Sequence, residues 1–179
     1  MDKIFSPKYT SFHYPIVLSS NADQAVMDRI NFQRMADSWR PISFEMLRKN
    51  KQELPPEISV IQCIIAFNKK HLEQLSRIFN DCVEYLPKTV DGEPWIMLNT
   101  LGSYRGIDLE RSVYYKNEDG QIFYIPKLVM HSLTDRTCGI FTVEGSNRSR
   151  CLVSGEVVSQ ITQLNLDGMA FAEIGEFIE

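Results

Sequence analysis

One amphipathic pattern, read twice, constrains this chain more than any other feature. Residues 58–67 are rich in Ile and Val and predict a strand, and Asn68 offers a helix cap. Leu72, Leu75, Ile78, Phe79 and Cys82 then recur at helical spacing before Val83-Glu84-Tyr85-Leu86 returns to alternation. A shift of 86 positions repeats the pattern without a gap. Asn68 falls on Ser154, Leu72 on Val158, Leu75 on Ile161, Ile78 on Leu164, Asp81 on Asp167, Val83 on Met169 and Tyr85 on Phe171. The agreement predicts two strand-helix-strand units of similar local shape. Few of the matched residues are identical, and generic amphipathic units share much of this agreement, so no duplication is inferred from it.

Between the units, 95–98, 121–125 and 139–143 read as strands. Asn117-Glu118-Asp119-Gly120 predicts a hairpin, because Asp-Gly tolerates the positive φ of a tight turn and is flanked by two β-branched and aromatic runs. Pro126 should end the second arm or put it on a sheet edge. Upstream, residues 1–20 read as an extended arm with 16–18 available for pairing. Asn21 can cap a short helix reaching about Phe32, and Ser43 a second one through Arg48, followed by a basic linker. The expected fold class is α+β: a mixed or antiparallel sheet with short helices packed on it, in a single domain over 1–179. Residues 1–57 would form the arm and short helices, and 58–179 the core.

No apolar run approaches the roughly 20 residues of a membrane span. The opening MDKIFSPKYTSFHYP lacks an apolar stretch followed by a small-residue cleavage site, so the protein is expected to stay in the cytoplasm. Cys63, Cys82, Cys138 and Cys151 have neither zinc-site spacing nor the density of a disulfide framework, and are expected to be reduced, mostly buried thiols. Net charge is −4, unevenly placed. All 19 Lys and Arg precede residue 151, whereas Glu156, Asp167, Glu173, Glu176 and Glu179 follow it.

Catalytic equipment is sparse. The three histidines stand at 13, 71 and 131, and a Cys63 nucleophile with His71 as base lacks an orienting third group. Asp108 and Glu110, with Asp91 and Glu93 upstream, resemble paired carboxylates, but Asp-Leu-Glu-Arg-Ser is better read as turn and cap chemistry. Trp95 lies in an apolar run without interleaved Lys or Arg, which predicts a core aromatic and not a base-stacking platform. No catalytic residue, cofactor, metal, direct nucleic-acid contact or membrane partner is expected.

An ordered series of short segments goes further: Val83-Glu84-Tyr85-Leu86-Pro87, Leu98-Asn99, Ile107-Asp108 with Ser112, the 120–128 strand with Lys127, Gly139-Ile140-Phe141, Leu152-Val153-Ser154, and 166–171 with Gly168. In order and spacing this series resembles the eleventh family of bacterial immunity proteins, over about three fifths of the chain. The resemblance implies a non-enzymatic inhibitor of a cognate toxin domain from a polymorphic toxin system, often one delivered by contact-dependent or type VI secretion. The matched positions look like scaffold, so the contact surface is sought in charge placement. The toxin-contact candidates are Asp91, Glu93, Glu118, Asp119, Glu173, Glu176 and Glu179, which would suit a basic cleft such as that of a nuclease. The alternative is a non-catalytic scaffold or self-associating regulatory domain.

Overall fold

The computed structural model describes residues 2–20, 24–27, 30, 33–48, 53–131, 138–144 and 151–179. Its strands form two sheets. The first has six: β2 (Ile16–Leu18), β3 (Ser43–Met46), β4 (Ile58–Ile61), β5 (Ile64–Asn68), β6 (Val83–Val90) and β7 (Glu93–Thr100), in the order β2-β3-β6-β7-β5-β4. The second has seven: β1 (Lys3–Tyr9), β8 (Ser103–Tyr104), β9 (Val113–Lys116), β10 (Ile122–His131), β11 (Ile140–Val143), β12 (Leu152–Ser154) and β13 (Met169–Ile178), in the order β8-β11-β12-β1-β13-β10-β9. The helices are α1 (Gln24–Met27), α2 (Leu72–Phe79) and α3 (Gly155–Gln163).

The two sheets share one plan. In the first, β2 runs antiparallel to β3, β3 parallel to β6, and β6, β7, β5 and β4 alternate antiparallel. In the second, β9 runs antiparallel to β10, β10 parallel to β13, and β13, β1, β12 and β11 alternate antiparallel. Strand for strand, β2, β3, β6, β7, β5 and β4 match β9, β10, β13, β1, β12 and β11. Each half holds a split β-α-β unit, β5-α2-β6 and β12-α3-β13, with an antiparallel strand inserted between its two strands. The six-stranded sheet takes that strand from the chain following β6, whereas the seven-stranded sheet takes it from β1.

The sheets differ in closure, the six-stranded one being a half-barrel and the seven-stranded one a nearly closed barrel. After β8 the chain leaves β11 and meets β10. Ile107 bridges Met130, Asp108 N donates to Val129 O at 2.9 Å, and His131 N donates to Gly106 O at 3.0 Å. Ile4, Tyr104, Leu128, Met130, Phe141, Val143, Leu152 and Phe177, drawn from six strands of this sheet, form the barrel's own core. The opposite faces of the same strands, with Phe5, Ile140 and Val153, join α2, α3 and Ile65, Phe67, Val83, Ile96 and Leu98 of the half-barrel in a shared central core. The half-barrel's other face holds Phe44, Leu86, Trp95 and Met97 in a third cluster.

This architecture overturns the expected α+β class with short helices packed on a sheet. The protein is mostly strand, and among the described residues the two helices longer than a turn have eight and nine residues. Each fully buries two side chains, Leu75 and Phe79 or Val157 and Ile161, too narrow a stripe to cover a sheet. Three local readings also change. Residues 58–67 are not one strand but the β4–β5 hairpin, turned at Gln62 and Cys63 with φ of 47° and 68°; these residue types carry no turn signature. Residues 43–46 are strand, not helix, because Phe44 alone is buried between exposed neighbours and pairing with β6 rewards that period of two. β10 also continues through Pro126, which sits where its pairing with β9 shifts register and its pairing with β13 is about to begin. Of the helix expected over 21–32, the described residues show only Gln24–Met27; 21–23, 28–29 and 31–32 lie outside them.

Candidate partner-binding surface

The β9–β10 ribbon stands out from the barrel because, although Ile122 is buried and Ile125 packs on the barrel core, most of its large apolar side chains are exposed. Asn117 N donates to Gln121 O at 2.9 Å, Gly120 N to Asn117 O at 3.0 Å, and Gly120 takes φ of 78° to close the turn. Tyr115 and Tyr124 oppose each other across the ribbon and stack with ring centroids 5.8 Å apart. They are 54% and 42% exposed, with Phe123 at 49% and Val113 at 47%. Lys116 Nζ lies 5.7 Å from the Tyr114 ring centre. β9 ends the sheet order, so its outer edge has no strand beside it among the described residues.

The base of the ribbon is held by side chains that substitute for backbone. Asp108 Oδ1 accepts from Glu110 N and Arg111 N at 3.0 and 2.9 Å, turning the chain into β9. Ser112 Oγ accepts from Val129 N at 2.9 Å and donates to Val129 O at 3.2 Å, filling a ladder position where no strand pairs. Asp108, Glu110 and Ser112 thus do the turn and cap work their sequence suggests.

The acidic candidates fall in three separate places. Glu118 and Asp119 form the ribbon tip beside the exposed aromatics. Asp91, in the β6–β7 turn, accepts from Met46 N at 3.2 Å and pairs with Arg48 at 3.1 Å; with Glu93 it lines a cleft of about 550 Å³ bounded also by Trp95, Pro55, Pro56 and Lys70. Glu173 and Glu176 lie in β13, which is paired on both sides, and Lys3 reaches them at 2.9 and 3.3 Å. Glu179 is exposed at the end of the chain. The Glu173 and Glu176 carboxylates are therefore partly neutralised by Lys3. Sequence reasoning located the ribbon but missed Tyr115, Phe123 and Tyr124 as its exposed residues, because alternation shows two faces without showing which is covered.

Elsewhere the buried polar groups are structural. Burial alone would push the Glu84 carboxyl up, but Met35 N at 2.8 Å, Asn99 Nδ2 at 2.9 Å and Ala36 N at 3.2 Å, with Arg34 nearby, outweigh it and hold the group below the usual carboxylate range. Lys88 is 2% exposed, with its Nζ 4.0 Å from the Phe44 ring centre and 5.6 Å from that of Trp95. Burial without a hydrogen-bond partner drives its pKa well below the ordinary lysine value. Trp95 is a core residue, and His71 turns Nε2 to Glu57 Oε1 at 3.2 Å. Among the described residues no group of three or more His, Cys, Asp and Glu is placed to hold a metal. No described helix is long and apolar enough to cross a membrane. The reading of all four cysteines as reduced thiols is corrected: Cys82 and Cys138 form a disulfide joining the half-barrel to the barrel, leaving Cys63 and Cys151 free. Their separation of 56 in sequence hid a pairing that only the packing of two sheets creates.

No family model matches this chain, and no curated protein matches it.

Proposed function

We propose that this protein is a non-catalytic inhibitor that binds a cognate bacterial toxin domain stoichiometrically, with the β9–β10 ribbon as its contact surface. The observation that carries the reading is the exposure of this ribbon's aromatics. Its stacked tyrosines and Phe123 belong to the side-chain types that anchor protein interfaces, and Glu118 and Asp119 at its tip give it a charge complement for a basic cleft. The resemblance to the immunity family supports the toxin as occupant. The segments that carry it lie in β6, β7, β10, β11, β12 and β13 and at the ribbon base, leaving the aromatics of β9 free to differ with the partner. A specific complex of this kind buries about 800 Å² on each side. The acidic tip fits a nuclease, which would place the encounter in the cytoplasm.

The Cys82–Cys138 disulfide favours a second reading of the compartment, since such bonds persist where the medium is oxidising. Co-expression with the toxin-like domain of an adjacent reading frame tests both. Protection at a one-to-one ratio, lost on Tyr115→Ala with Tyr124→Ala, is the expected result. Protection at inhibitor levels far below the toxin's would mean turnover and reject the inhibitor reading. Protection only when both proteins are exported would move the site of action out of the cytoplasm.

A further inference from the structure

All four cysteines sit on the seam between the two sheets, and they do so as two pairs. Cys82 precedes β6 of the half-barrel and Cys138 precedes β11 of the barrel; these two are bonded. Cys63 lies in the β4–β5 turn of the half-barrel and Cys151 immediately before β12 of the barrel. The second pair repeats the first in kind, one thiol from each sheet. Cys151 N donates to Cys63 O at 3.4 Å, so the two residues meet directly across the seam. That contact brings the two backbones together at the seam, as a disulfide requires of its Cα atoms, which it spans at roughly 4.4–6.8 Å. The Cys151 sulfur faces the Ile65 backbone N–H, two residues beyond Cys63, and the Cys63 sulfur lies close enough to act on it electrostatically.

We infer that Cys63 and Cys151 form a second inter-sheet disulfide when the protein meets a disulfide oxidant, cross-linking the half-barrel to the barrel at a second point. Cys63 is the entry thiol, since it is partly exposed while Cys151 is buried. Its thiolate attacks one sulfur of a small disulfide such as oxidised glutathione, forming a mixed disulfide and releasing one glutathione thiolate. The Cys151 thiol then loses its proton and attacks the Cys63 sulfur, releasing the second. The two protons lost by the protein end on two glutathione thiols, and the two electrons reduce one glutathione disulfide. Burial pushes the Cys151 thiol up to about 12, so this second step is the slow one and speeds up with rising pH.

The test uses the full chain incubated with oxidised glutathione and followed by intact mass and non-reducing peptide mapping. The expected product is lighter by two hydrogens, has lost both remaining thiols, and yields a peptide pair joined through Cys63 and Cys151. Because the existing bridge already shortens the loop this bond closes, Tm should rise by about 5–10 °C. Cys63→Ser and Cys151→Ser should each abolish the mass loss and the rise. A stable glutathione adduct on Cys63 with Cys151 still free, or no reaction at either thiol, would overturn the inference. If either variant fails to fold, mapping of the wild-type product decides the matter alone.

Discussion

The β2–β3 and β9–β10 ribbons occupy the same place in the two sheets, yet one has an apolar face packed under its own connection and the other leaves its large aromatics exposed. In the half-barrel the chain between β2 and β3 returns over the sheet, so that Met27, Ile30, Met35 and Trp39 join Ile16 and Phe44 in one cluster. Glu84 clamps that return through Met35 N and Ala36 N, and Trp39 Nε1 donates to Pro87 O at 2.7 Å. In the barrel the corresponding connection is the tight Asn117–Gln121 turn, too short to fold back over the sheet. Closure by Ile107 satisfies the inside of the barrel but leaves the outlying ribbon uncovered. One plan thus builds both a finished wall and an unfinished one, and the proposed function rests on the unfinished wall.

The most severe way to break the comparison is at the junction of β10 with β13. A Cβ on Gly175 would lie 1.8 Å from Leu128 O, whereas the matching half-barrel position, paired with Ser43 as Gly175 is with Leu128, is Thr89. Gly175→Thr should therefore cost about 3 kcal/mol or more and release the ribbon, while Thr89→Gly should cost about 1 kcal/mol. Denaturant midpoints measure both, and equal losses would mean that the barrel is no tighter than the half-barrel.

Phe44 and Phe123 compare the ribbons directly. Phe44 is 2% exposed, so Phe44→Ala should lose about 3–5 kcal/mol of stability. Phe123→Ala should change stability by less than about 0.5 kcal/mol but weaken partner binding by about 1–2 kcal/mol, roughly 5- to 30-fold. Thermal melts and titration calorimetry on the same variants separate the two effects. A Phe123→Ala protein that melts early but binds normally would place the interface elsewhere.

The buried amine gives a gain instead of a loss. Lys88 matches Ile174, which packs on the barrel's core, and Lys88→Ile should stabilise the half-barrel by about 1–2 kcal/mol at pH 7. The folded pKa is depressed, so at neutral pH the unfolded chain binds a proton that the folded one does not. Wild-type stability therefore rises with pH up to the unfolded value of 10.5, and the advantage of Lys88→Ile shrinks over the same range. A pH-independent difference between the two would show that Lys88 is not held neutral.

The smallest effect concerns steering. Glu118→Gln with Asp119→Asn should slow association, most at low salt, because these acids stand at the ribbon tip. Glu173→Gln with Glu176→Gln should slow it less, since Lys3 already sits between those carboxylates. A reversed order in stopped-flow rates would return the contact surface to β13.

The sequence by itself determined the elements with a local cause. Asn68 caps the 3-10 turn Lys69–His71 that leads into α2, Ser154 caps α3, the Asp119-Gly120 turn joins β9 to β10, and Gly168 takes φ of 117° where the chain enters β13. Each depends on neighbours within a few residues, and residue types record that. Only the tertiary structure decided the rest. β1 leaves its neighbours in sequence to stand between β12 and β13. Residues 43–46 become strand because β6 is beside them, and Cys82 finds Cys138 because two sheets meet. Which of the two ribbons is covered also depends on whether its own connection folds back over the sheet, as the one between β2 and β3 does. Alternation in sequence sets the two faces of a strand apart, but the partner of each face is chosen by packing among segments far apart in the chain.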